Sequence, residues 1–125
     1  MRLAISGKEK TRVAALIANA DDRAALSAIA TRENWRLQFA NRRESIVEEL
    51  RRSPAVVLCD TDWRGTLEAL HSNPLRSRMI LVTPETGDKL WLEVLELGGY
   101  DVVTRPFHER RLIDAITHAW GELTK

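Results

Sequence analysis

Three side chains suited to phosphate chemistry each follow a short apolar run. Asp60 comes after Ala55-Val56-Val57-Leu58-Cys59, Thr83 after Met79-Ile80-Leu81-Val82, and Arg105 after Asp101-Val102-Val103-Thr104. A carboxylate can attack phosphorus, while a hydroxyl and a cation can neutralise the charge that develops on the phosphoryl oxygens. If the three runs are neighbouring parallel strands, the three groups meet at one edge, because open α/β sheets gather function outside the carboxyl ends of their strands. The chemistry this predicts is acceptance of a phosphoryl group by Asp60.

Other chemistries find little support in the chain. His71, His108 and His118 lie in three separate helical contexts with no cysteine or carboxylate at ligand spacing, which argues against zinc. There is no Gly-x-Gly-x-x-Gly run, and Ser53 and Ser72 lack the setting of a nucleophile elbow. Trp35, Trp63, Trp91 and Trp120 are too dispersed for a base-stacking platform. An enzyme with a substrate of its own has no constellation behind it, and none is expected.

The elements that must position Asp60, Thr83 and Arg105 alternate along the chain. Residues 13–17 read as a first strand, with residues 1–11 as an extension outside the pattern; taking residues 1–6 as that strand would leave 13–17 without a place. Asp21 and Asp22 open a helix with Ala25, Leu26, Ile29 and Ala30 on one side. Residues 35–40 alternate as a half-buried strand, and Ile46, Val47 and Leu50 mark a helix over 43–52 that Ser53-Pro54 ends. The run 55–59 is apolar throughout, as a central strand covered on both faces requires. A short helix over 66–71 must stop before Asn73-Pro74. Residues 79–82 give a strand and 84–87 a loop. A helix with Leu90, Val94 and Leu97 on its inner face then ends at Gly98-Gly99. Residues 101–104 form the last strand, and Leu112, Ile113, Ile116, Trp120 and Leu123 trace a closing amphipathic helix. Five strands alternating with five helices imply right-handed crossovers and a mostly parallel sheet between two helical layers.

Bulk properties agree with one domain. A chain of 125 residues buries enough surface for a single core. Nineteen Lys and Arg against eighteen Asp and Glu leave almost no net charge, which argues weakly against direct binding of nucleic acid. Arg42-Arg43 and Arg51-Arg52 read as solvated helix faces. The single Cys59 has no disulfide partner within the chain and fits a reducing compartment. No segment approaches a membrane span, and the first ten residues carry no secretory core, so the expected location is the cytoplasm.

With these motifs in place, residues 12–120 resemble the receiver domain of bacterial two-component response regulators. The most specific stretches are Pro54 to Asp60, Ile80 to Thr83 and Leu97 to Phe107, with twenty-two residues from Thr83 to Arg105 as receivers have between hydroxyl and lysine. The resemblance implies a flavodoxin-like (βα)5 three-layer sandwich over residues 12–125, with a five-stranded parallel sheet. It implies Asp60 as phosphoacceptor, Thr83 and Arg105 as phosphoryl-binding groups, and a magnesium ion whose oxygen ligands would come from Asp21, Asp22 and Asp60. It further implies a sensor histidine kinase as partner, output through protein contacts, and a homodimer through the face of the fourth helix, fifth strand and fifth helix. Trp91 and Leu95, lying off the inner stripe, are the interface residues there.

The chain departs from the receiver pattern in four places. Ile17 and Ala18 stand where an ungapped alignment puts the acidic pair, and Asp21 and Asp22, a few residues later, could be helix caps or metal ligands. Arg105 replaces a lysine with a planar fork. The loop 61–65 is shorter than usual, and its Trp63 could pack against neighbours or lie across the acceptor. Val102 occupies the place of an aromatic switch residue. The first three departures motivate a second reading, a degenerate receiver that binds proteins without cycling phosphate.

Overall fold

The computed structural model describes residues 10–73, 76–85 and 87–125. Its elements are β1 (Arg12–Leu16), α1 (Ala20–Glu33), β2 (Arg36–Phe39), α2 (Arg43–Arg52), β3 (Ala55–Cys59), α3 (Trp63–Leu70), β4 (Ser77–Thr83), α4 (Asp88–Glu96), β5 (Asp101–Thr104) and α5 (Glu109–Leu123). The strands form one sheet in the order β2-β1-β3-β4-β5, every neighbouring pair parallel. This is the expected flavodoxin-like (βα)5 architecture.

Alternation along the strands divides the interior in two. Val13, Ala15 and Ile17 join Val56, Leu58, Ile80 and Val82 beneath Leu26 and Ile29 of α1 and Leu112 and Ile116 of α5. Ala14 and Leu16 join Val57, Cys59, Met79 and Leu81 beneath Ile46 and Leu50 of α2, Leu67 and Leu70 of α3 and Val94 of α4. Successive strand side chains point to opposite faces, so a continuous apolar run such as β3, buried at all five positions, feeds both cores. Fully burying a side chain of this size contributes about 1.5–3 kcal/mol. The fold therefore rests on two apolar layers, and polar groups collect at the strand ends.

Several local expectations are corrected. The cap of α1 is Asn19, whose side chain accepts the Asp22 N–H at 2.9 Å, so Asp21 and Asp22 lie in the first turn and cap nothing. Ala25 is exposed, and the inner face of α1 is Leu26, Ile29 and Ala30. The third helix starts at Trp63, three residues before the predicted 66. Asp62 takes a left-handed φ of 53° and turns the chain straight into the helix, held by Arg43 of α2 at 2.7 Å. A Cβ on Gly65 would meet that Arg43–Asp62 pair at 2.2 and 2.5 Å, so this glycine makes room for the ion pair. Leu97 caps α4 and is exposed, leaving Val94 as the buried residue of that helix. The predicted extension 1–11 falls, up to residue 9, outside the described residues, as does Thr86 of the predicted loop.

Candidate functional site

The sheet order changes direction between β1 and β3, and the crevice beyond their carboxyl ends is where this class of sheet holds its functional groups. Asp60 is the first residue past β3. Its N–H donates to the Leu16 carbonyl at 3.0 Å, which ties it to the end of β1. Its carboxylate turns into the segment between β1 and α1. Oδ1 accepts the Ala18 N–H at 2.9 Å and the Thr61 hydroxyl at 2.7 Å, and Oδ2 accepts the Asn19 N–H at 3.2 Å. The Asp60 side chain is only 3% exposed. Burial of that charge is tolerated because amide and hydroxyl donors replace water around it.

Arg105 follows β5 directly, its N–H donating to the Thr83 carbonyl at 3.0 Å. The peptide bond to Pro106 is cis. The guanidinium joins two carboxylates: Nε donates to Asp22 Oδ2 at 2.7 Å and Nη2 to Asp60 Oδ2 at 3.2 Å. Asp22 is buried, and among the described residues its carboxylate accepts from Arg105 alone. Arg105 thus gathers the start of α1 and the ends of β3 and β5 around one charge.

Thr83 ends β4 and is buried. Its Oγ1 accepts the Glu85 N–H at 3.1 Å, which leaves its own O–H available to donate. Asp60, Thr83 and Arg105 line one polar cleft of about 490 Å³, together with Trp63, Lys89 and Glu93. Arg64 spans this wall: its guanidinium lies 4.3 Å from the centre of the Trp63 ring and donates to Glu93 Oε2 from Nε at 3.0 Å and Nη2 at 2.6 Å. Trp63 is thus a cleft residue stacked on its neighbour.

Of the predicted metal ligands, Asp22 and Asp60 meet on the Arg105 guanidinium and Asp21 stands apart. Asp21 is exposed, Asp22 faces Arg105, and Asp60 is held by amides and the same arginine. Among the described residues no group of three or more His, Cys, Asp or Glu side chains is placed to hold a metal ion. At the end of β1, Ile17 packs into the core and Ala18 offers only its amide. Magnesium is usually held by one or two carboxylates and water, and the two carboxylates that meet here are both engaged by the Arg105 guanidinium.

Sequence reasoning singled out Asp60, Thr83 and Arg105, and the structure brings these three together. It missed the Ala18 and Asn19 amides, the Thr61 hydroxyl, the role of Asp22 as partner of Arg105, and the Arg64–Glu93 pair. Backbone donors carry no side-chain signal. Asn19, three residues before Asp22, was legible as a cap.

The predicted interface residues separate. Trp91 is 43% exposed and Leu95 is half-buried, while Leu92, which was not predicted, is 52% exposed. Leu90, Trp91, Val102 and Thr104 line a shallow groove of about 410 Å³ between α4 and β5. Among the described residues no helix is long and apolar enough to cross a membrane.

No protein-family model matches the chain, and no curated protein matches it in sequence. Solved structures do match in fold. The chemotaxis response regulator CheY4 of Vibrio cholerae superposes with a TM-score of 0.76 at 14% identity, over 89% of this chain and 99% of that one. The receiver domain of the Saccharomyces cerevisiae response regulator Ssk1, crystallised with the histidine phosphotransfer protein Ypd1, gives 0.79 at 13% identity, over 93% and 92%. The beryllofluoride-activated receiver domain dimer of NtrC4 gives 0.76 at 21% identity, over 90% and 98%. The fold of this chain is that of response-regulator receiver domains.

Proposed function

We propose that this chain is a phosphorelay receiver module in which Asp60 accepts a phosphoryl group from a phosphohistidine of a sensor kinase or phosphotransfer protein. The observation that carries the reading is the buried Asp60 carboxylate at the switch point of a receiver fold, sharing one cleft with the Thr83 hydroxyl and the Arg105 guanidinium. In the step itself, an Asp60 carboxylate oxygen forms the new bond to phosphorus. The bond from phosphorus to the imidazole nitrogen breaks, and its electron pair stays on the imidazole. Thr83 donates its O–H to an equatorial oxygen, and Arg105 with the Ala18 and Asn19 amides offsets the charge there.

Output runs through protein contacts. The α4–β5–α5 face, with Trp91, Leu92 and Leu95, serves as the surface for a second copy or a signalling partner, and the setting is the cytoplasm. The match to a receiver solved with a phosphotransfer protein and to a receiver dimer supports partners of this kind.

The test is incubation with acetyl phosphate, with and without magnesium, followed by intact mass measurement. One phosphoryl group should be gained by the native chain and by none of the Asp60→Asn protein. Absence of any gain under saturating donor removes the reading.

A further inference from the structure

The cation of this site is part of the chain. Between Asp22 and Asp60 stands the Arg105 guanidinium, donating to one oxygen of each at 2.7 and 3.2 Å. Both carboxylates are almost wholly withdrawn from water, with side chains 7% and 3% exposed. Two such charges need compensation on the spot, because water and salt screen buried charges far less than exposed ones. The arginine supplies it in the planar geometry that suits two carboxylates at once.

We infer that Arg105 is the resident counter-cation of the acidic cleft, standing in for a divalent metal and excluding one. The inference builds on the reading of Asp60 as acceptor and says how the charge of that acceptor is managed. Two observations on separate elements point the same way. At the end of β1, which faces Asp60 most directly, Ile17 and Ala18 carry no oxygen ligand in their side chains, and Asp21 is exposed. The Asp60 oxygens are already engaged by the Ala18 and Asn19 amides and the Thr61 hydroxyl, so a metal would have to displace those donors as well as the guanidinium.

The same geometry leaves Arg105 able to serve a phosphoryl group. Its guanidinium has five N–H donors, of which two are engaged by Asp22 and Asp60, and it lines the cleft. The three that remain are the donors a phosphoryl group on Asp60 would meet.

Titration with magnesium chloride and manganese chloride tests the assignment, read by calorimetry and by quenching of intrinsic tryptophan fluorescence. The native chain should give no saturable signal with either metal. Arg105→Ala, which leaves Asp22 and Asp60 without their cation, should gain saturable manganese binding and a thermal stabilisation that depends on the metal. A saturable isotherm in the native chain that is lost in Asp60→Asn overturns the inference. So does a folded Arg105→Ala protein that binds manganese no better than the native chain. The native titration decides even if the variant does not fold. Metal binding is read without phosphoryl transfer, so failure of this inference and failure of the acceptor reading are separate results.

Discussion

Replacing Arg105 by methionine keeps most of the side-chain length and apolar stem while deleting the charge that holds Asp22 and Asp60 together. Two ion pairs disappear, at 2.7 and 3.2 Å. With an effective dielectric of about 20, each such pair is worth a few kcal/mol of attraction, and stranding a buried partner costs about 3–5 kcal/mol. Two features reduce that figure. The Arg105 side chain is 24% exposed, so part of its attraction is screened, and Asp60 keeps its amide and hydroxyl donors. Asp22 keeps no donor to its carboxylate among the described residues and bears most of the loss. The expected destabilisation is about 2–4 kcal/mol, within the total of 5–15 kcal/mol typical of such a domain, so the variant should still fold.

Urea unfolding followed by circular dichroism would show this as a lower midpoint with an unchanged slope. The double variant Asp22→Asn, Arg105→Met should recover about 1–2 kcal/mol relative to Arg105→Met alone, because a neutral amide is cheaper to bury than a stranded carboxylate. A loss below about 0.5 kcal/mol for Arg105→Met, or strict additivity of the two substitutions, would show that the bridge carries no coupling energy and would refute the reasoning.

Three further outcomes are expected. Burial pushes the Asp101 carboxyl up, but the Arg111 fork at 2.8 and 3.0 Å and the Val102 N–H outweigh it and hold the group below its ordinary value. Its contribution is therefore complete above the unfolded value of about 3.9 and is lost as pH falls through the folded value. Because Arg111 is nearly half exposed, Asp101→Asn should cost only about 0.5–1 kcal/mol at neutral pH and nothing in strong acid; an equal loss at both would contradict the sign. Burial likewise drives the Cys59 thiol up to about 11, so labelling by a disulfide reagent at neutral pH should proceed only with unfolding, and rapid labelling of the native chain would count against the buried position. Trp91→Glu should weaken self-association by about tenfold or more in sedimentation, as loss of an exposed aromatic anchor does, and an unchanged profile would reject that face.

What was legible in the sequence follows from what periodicity encodes. The run before Asp60 is apolar at every position because β3 is covered on both sides, and that pattern placed Asp60, the proposed acceptor, at the end of a central strand. Thr83 and Arg105 were found for the same reason, each sitting at the end of its strand. Leu97 was misplaced because helical spacing continues on paper past the point where α4 unwinds, and the cap residue turns outward. Trp63 was left out of α3 because the left-handed Asp62 and the glycine two residues on look like a loop until Arg43 arrives from another helix. Asp22 was weighed as a cap or a metal ligand, since its real partner lies 83 residues away and reaches it only through the fold. Long-range charge pairing leaves no periodic trace.

The alternation of β3 between two interiors has a consequence for how this protein can change over time. A strand slipped by one position would send Val57 and Cys59 into the space shaped for Val56 and Leu58, and the reverse, upsetting both layers in a single event. The backbone site that carries Asp60 is thereby pinned by residues that take no part in its chemistry. Substitutions at the strand end are free to alter what the position does while its address in space stays fixed, so new chemistry can arise without re-inventing the scaffold.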